Sequence, residues 1–225
     1  FNTRERKEFL AQKPPSLRQS LKAAAKNKPF VFGAVMYLLT WVCVDIMQAN
    51  LLYFIKYVLH QEANNDLIMG TILVAALLTL PLWTWVAHRW NKRLAFVIGV
   101  SFWAIVQLFM SSLTPATPLE LILPLCVLAG VGVGAVHVIP WSIIPDAIEW
   151  DEYHTGERHE GIFYSLISLA QKVASSIAIP LTLLVLEATQ YDATLAQQPE
   201  SAISGIRFVV GPIPAILLSA AVIFA

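Results

Sequence analysis

Leu67–Val86, LIMGTILVAALLTLPLWTWV, runs for twenty residues without a charge. A helix of about 20 apolar residues covers the roughly 30 Å hydrocarbon core of a bilayer, so this stretch reads as a membrane span. Working outward, the same signal recurs on both sides. Phe30–Leu59 precedes it, carrying Asp45 and, near its end, Lys56. Leu94–Leu113, Leu121–Ile144 (with His137), Ile162–Leu186 (with Lys172) and Phe208–Ala225 follow it. Six spans predict an all-α membrane protein. The composition agrees: 225 residues, 57% hydrophobic and 13% charged, with a mean hydropathy of +0.64. Soluble domains carry about 25% charged residues, so a soluble globule, a disordered chain and a nucleic-acid binder are all excluded. Cys43 and Cys126 sit inside apolar runs and read as small packing residues, not as a disulfide framework.

Fifteen Lys+Arg balance fifteen Asp+Glu, and the information lies in their placement. The leader 1–28 holds eight cations, the connection after span two adds Arg89, Lys92 and Arg93, and the one after span four adds Arg158. The connections on the other face, 61–66, 114–120 and 187–205, hold six acids and no Lys or Arg. Positive charge near span ends favours the cytoplasmic side. This predicts a multi-pass protein of the plasma (inner) membrane with its N-terminal leader in the cytoplasm. Residues 1–28 then form a linker ending in a short basic amphipathic helix. Leu17, Leu21 and Ala24 stand opposite Arg18, Lys22 and Lys26, a pattern suited to anionic lipid headgroups. Residues 29–225 form the six-helix transmembrane domain. A start at Phe1 and an end inside an apolar run lead us to expect a piece of a longer protein.

A charge at the bilayer centre costs about 2.5–3.5 kcal/mol on insertion scales, so such residues usually face a cavity or a partner. Asp45 lies about 22 Å into the first span at 1.5 Å per residue, near the midplane. Trp41, Asp45 and Gln48 share its helical face. Lys172 sits at similar depth in the fifth span, within a polar stripe of Ser168, Ser175 and Ser176. The two charges either pair with one another or line an aqueous substrate cavity, to which His137 and Trp141 on the fourth span also belong. Lys56, near the outer boundary, is explained by snorkelling. Gly130, Gly132 and Gly134 predict a small-residue seam for close helix packing, and Pro140 and Pro145 a disturbed helix beyond it. The segment 146–160 is expected to be a loop. Its Asp146, Glu149, Asp151, Arg158 and Glu160, with Arg89, Lys92 and Arg93, predict an ion-pair network acting as a cytoplasmic gate. The spacing of its acids and histidines fits no standard zinc or calcium site, and no metal is expected. The same loop offers no nucleophile for a membrane enzyme, and no repeated polar ring suggests a channel.

The run Pro140-Trp141-Ser142-Ile143-Ile144-Pro145-Asp146-Ala147-Ile148-Glu149-Trp150 is continued by Tyr153, Thr155-Gly156, Arg158, Glu160-Gly161 and Tyr164-Ser165. It resembles the signature of the glycoside–pentoside–hexuronide:cation symporters, the melibiose-permease branch of the major facilitator superfamily. Pro81-Leu82-Trp83 through Arg89 and Asn91-Lys92-Arg93 is similar to that family's loop between helices eight and nine. The resemblance implies that the chain forms helices 7–12, the C-terminal half of a carrier that moves a sugar or glycoside with a cation by alternating access. It assigns Lys172 to the substrate site with Ser168 one turn before it. His137 stands where the melibiose branch presents an aromatic ring. The family's site for the coupling cation, Na+ or H+, lies among acids of the first half, so Asp45 is not read as a sodium ligand, and no other cofactor is implied. The expected partners are a small solute, membrane lipid and the N-terminal six-helix half, without which no transport is expected. A second group of the superfamily, the animal sodium-dependent lysophosphatidylcholine symporters, is similar in Leu80–Trp85 and Pro140-Trp141-Ser142. There Lys172 would meet a phosphate. Thr155-Gly156-Glu157-Arg158 and Glu160-Gly161 follow the sugar-carrier form more closely.

Overall fold

The computed structural model describes residues 21, 24–156, 160–195 and 197–225. Among them the regular structure is entirely helical, with six stretches long and apolar enough to cross a membrane. The chain is an integral, multi-pass membrane protein. Helix α1 is Lys28–Tyr53, prolonged by a π-helical turn over Phe54–Val58. α2 (Asn65–Arg89), α3 (Lys92–Ser111), α4 (Leu119–Thr155) and α5 (Glu160–Ala188) follow. The sixth span is built from α6 (Glu200–Val210) and α7 (Pro212–Ile223).

Local chemistry sets the helix ends. Asn27, in an extended conformation, accepts from the Phe30 amide at 2.9 Å and starts α1 with Pro29 in its first turn. The same side chain donates to the Ala147 carbonyl at 2.8 Å, fastening the start of α1 to α4. Asn91 caps α3 through the Leu94 amide. Gly156 stops α4 at φ 73°, a left-handed position that a side chain would strain.

Two departures from the sequence reading concern helix length. The acidic run 146–155 is not a loop: α4 continues through it to Thr155, so Asp146, Glu149 and Asp151 ride on helix. Thirty-seven residues make α4 about 55 Å long, well beyond the hydrocarbon core. Hydropathy drops where the helix leaves lipid, not where it ends. Pro140 and Pro145 also leave α4 unbroken. Ser142 Oγ donates to the Ile139 carbonyl at 2.7 Å and Lys92 Nζ to the Ser142 carbonyl at 2.7 Å, supplying polar partners beside the prolines. The last span begins at Glu200, eight residues before the apolar run alone suggests, and is jointed at Gly211. Arg207 is tolerated in it because its guanidinium donates to the Ser111 carbonyl at 2.7 Å.

Packing turns on the glycine seam. A Cβ on Gly134 would fall 2.6 Å from Thr79 Oγ1, and one on Gly130 would fall 2.6 Å from Ala75 Cβ, so α2 lies directly on the α4 backbone. Gly132 admits the Trp103 indole of α3 in the same way. Trp83 locks this contact by donating Nε1 to the Val131 carbonyl at 2.8 Å. The opposite side of α2, with Val74, Leu78 and Trp85, is exposed and suits lipid. α5 carries three stripes. Phe163, Ile167, Ala178 and Thr182 are buried against the bundle, Leu169, Val173 and Ile177 are bare and apolar, and Ser168, Lys172 and Ser176 form a polar stripe beside them.

Candidate functional site

Three helices, α1, α4 and α5, converge on the polar midplane residues. From α1, Tyr37, Trp41, Asp45 and Gln48 descend one face at helical spacing. Tyr37 is fully buried and its hydroxyl donates to Gln171 Oε1 of α5 at 2.7 Å. Its ring lies 5.5 Å from Trp41 and 5.3 Å from Trp141 of α4, the latter edge-on. Trp41 in turn stands 5.5 Å from the His137 imidazole, and Trp141 stacks on Tyr164 of α5 at 6.2 Å. His137 is half-buried and its Nδ1 is 2.9 Å from the Val133 carbonyl, which leaves the other ring nitrogen for an outside partner. Neither Tyr37 nor Gln171 is singled out by the sequence reading. The signal for Tyr37 was present: the Trp41–Asp45 stripe extends one turn earlier to it.

The two midplane charges do not pair with each other. Asp45 Oδ2 accepts a hydrogen bond from Ser175, while Lys172 is exposed and forms no ion pair among the described residues. Ser175 and Lys172 are three residues apart, about 60° around the helix, so the serine meets α1 while the lysine turns to the open face. Ser168 is half-buried on that open face and Gln48 is exposed at the α1 side. Gln48 and His137 also mark the polar end of a cavity of about 490 Å³ between α1, α2 and α4. Its remaining wall is apolar, with Met47, Leu51, Leu73, Leu77 and Leu80 among the lining residues. The arrangement offers rings, hydroxyls, an amide, an acid and an ammonium on one face, the mixture that holds a polar solute through stacking and hydrogen bonds.

Of the three cations expected to partner the acid cluster, Lys92 meets it at Asp146. Asp146 is bound by Lys92, whose Nζ donates to both carboxylate oxygens at 2.7 Å. Among the described residues neither Arg89 nor Arg93 pairs with it; both are exposed. Lys92 opens α3 and folds back onto α4 at Asp146, whereas Arg89 ends α2 and Arg93 points away. The ion pair therefore braces two helices of the same bundle, and its side chains are 33% and 55% exposed, a setting in which such pairs contribute little, about 0–1 kcal/mol. Glu149 is exposed, Asp151 is buried and Glu160 is exposed at the start of α5. Arg158 lies outside the described residues, as does most of the leader with its amphipathic helix. Among the described residues no three His, Cys, Asp or Glu side chains come together as a metal site.

Comparison with known proteins fits this geometry. An uncharacterized symporter of Synechocystis sp. is 36% identical over 220 residues, covering 94% of this chain and 40% of the relative. The sodium-dependent lysophosphatidylcholine symporter 1-A of Danio rerio is 28% identical over 214 residues, covering 94% and 40% respectively. A glucuronide carrier protein homolog of Escherichia coli is 28% identical over 201 residues, covering 89% and 44%. The chain thus spans about two fifths of the length of these relatives. The profile of the family described as MFS/sugar transport protein matches residues 1–225. Six apolar helices, a midplane face of rings and polar groups, and this end-to-end match lead to one conclusion: the chain belongs to the MFS/sugar transport protein family.

Proposed function

We propose that this chain is the C-terminal six-helix half of a cation-coupled symporter for a sugar or glycoside. Its basic leader lies on the cytoplasmic side of the inner membrane. The observation that carries the reading is the uncovered α1–α4–α5 face. Trp41, Trp141 and Tyr164 supply flat rings of the kind that stack on sugar faces, and Asp45, Gln48, Ser168 and Lys172 supply hydrogen-bonding groups at the same level. An N-terminal half laid against this face would enclose the solute, and rocking of the halves would expose it to either side. The main cation site is assigned to that partner half, the substrate to the shared face. Asp146 and Lys92, with the neighbouring acids of α4, form the cytoplasmic rim of this half.

A second reading, symport of a lysophospholipid, has the 490 Å³ apolar cavity in its favour, because an acyl chain fits its Leu- and Met-rich wall while a headgroup reaches Gln48 and His137. The two are separated by uptake into liposomes bearing the complete carrier, under an inward sodium or proton gradient. Radiolabelled glycosides and a lysophosphatidylcholine are offered side by side. Gradient-dependent accumulation of a glycoside, with no lysolipid flux, is the expected result. Accumulation of the lysolipid alone would replace the first reading with the second, and accumulation of neither would remove both.

A further inference from the structure

Resting on the symporter reading, we infer that Asp45 is a proton-binding site within this half of the carrier, alternately ionised and neutral as the protein cycles. A carboxylate held near the midplane of a bilayer is expensive and is normally matched by a cation. Among the described residues Asp45 has no cation within ion-pair distance; its partner is the Ser175 hydroxyl. That choice of partner matters. A lysine or arginine would hold the carboxylate ionised, whereas a serine hydroxyl both donates and accepts. With Asp45 ionised, Ser175 Oγ–H donates to Oδ2. With Asp45 protonated, the acid O–H donates to Ser175 Oγ, and the hydrogen bond survives with its direction reversed.

The surroundings keep the site available for a proton and unsuited to a metal ion. Thr40 spends its hydroxyl on the Met36 and Tyr37 carbonyls, and Gln171 is taken by Tyr37. One carboxylate and one hydroxyl are too few oxygens for a hard cation, which gathers six or more. A proton needs one acceptor. The titratable groups on this face are Tyr37 on the same helix, within electrostatic reach of Asp45, His137 on α4 behind Trp41, and Lys172 on α5, one turn before Ser175. From α6 and α7 the neighbours beside Ile46 are apolar, Val209, Ile213 and Leu217. Lys172 supplies the coupling. Its bare ammonium opposes protonation of Asp45, and a solute carrying or presenting negative charge to Lys172 removes that opposition, so solute and proton bind together.

The test uses the complete carrier in liposomes, with radiolabelled methyl glucuronide as the solute and D45N as the variant. Asn keeps an oxygen for Ser175 but carries no proton. Solute exchange without a gradient should be slowed yet present in D45N, while accumulation driven by a pH gradient, about tenfold per pH unit for one proton in the parent, should vanish. D45N that still accumulates solute on a pH gradient would overturn the inference. So would loss of exchange together with accumulation, which makes Asp45 a solute ligand only. A second measurement needs no solute: labelling of S168C by a membrane-impermeant thiol reagent in alkaline and in mildly acidic buffer. Corrected for the thiolate fraction, which falls with pH in both proteins, the rate should change with pH when Asp45 is present and not in D45N. A corrected rate that does not depend on pH with Asp45 present contradicts the inference, even where methyl glucuronide is not carried and the symporter reading itself has failed.

Discussion

Gly130→Val is expected to leave little folded protein. A Cβ at this position would lie 2.6 Å from Ala75 Cβ and 3.0 Å from the Ala76 amide nitrogen, and the branched side chain adds two methyl groups in the same space. The obstacle is the α2 backbone, which cannot rotate aside as a side chain would. Overpacking a well-filled core costs about 1–3 kcal/mol even where neighbours can yield, and here the whole α2–α4 contact must separate. That contact also holds the Trp83–Val131 hydrogen bond and seats Trp103 against Gly132. In membranes, where apolar burial gives helices no reason to prefer each other over lipid, such close approach is the main source of their association. The measure is the monodisperse yield in detergent and the Tm. Gly161→Ala is the control: nothing lies within 4 Å of its Cβ, and it should be neutral or raise helix stability by up to about 1 kcal/mol.

Lys172→Ala should act oppositely, sparing the fold and removing transport. The side chain is exposed on α5 and forms no ion pair among the described residues, so its loss opens no cavity and strands no partner. On the proposed function the same ammonium meets the solute in the complete carrier, and a hydrogen bond to a charged group contributes about 1.5–3 kcal/mol. Loss of that contact predicts a fall in initial uptake rate of about tenfold or more, each 1.4 kcal/mol being a factor of ten. Melting temperature should stay within a few degrees of the parent. Lys172→Arg, which keeps the charge but changes the donor geometry, should fall between the two. Full uptake by the alanine variant would detach Lys172 from the site.

Much of the architecture is legible in the sequence because lipid imposes simple rules. Leu67–Val86 has no charge to hide, and Gly130, Gly132 and Gly134 announce a seam that the structure places against α2 and α3. What hydropathy cannot mark is where a helix ends outside the lipid. α4 runs to Thr155 through Asp146 and Glu149, because acids on an exposed helix face cost nothing, and only Gly156 breaks it. The converse holds at the last span, where Arg207 hides the start of the helix until the Ser111 carbonyl is seen to receive it. At the site, spacing along one helix puts Trp41, Asp45 and Gln48 together, and Ser168 with Lys172. Contacts between helices were out of reach. That Asp45 meets Ser175 and not Lys172, that Tyr37 reaches Gln171, and which of the three expected cations holds Asp146 all depend on the relative rotation of packed helices, which one-dimensional patterning does not encode.

The central claim is that the α1–α4–α5 face lines a water-filled, solute-carrying cavity while the bare side of α2 meets lipid. Single cysteines make it directly measurable, because the native Cys43 and Cys126 are fully buried and should stay silent. In the complete carrier, a membrane-impermeant, charged thiol reagent should label cysteines placed at Gln48, Ser168 and Lys172, and should leave those at Leu78 and Trp85 unmodified. Labelling at Leu78 and Trp85 with none at Ser168 and Lys172 would contradict the account.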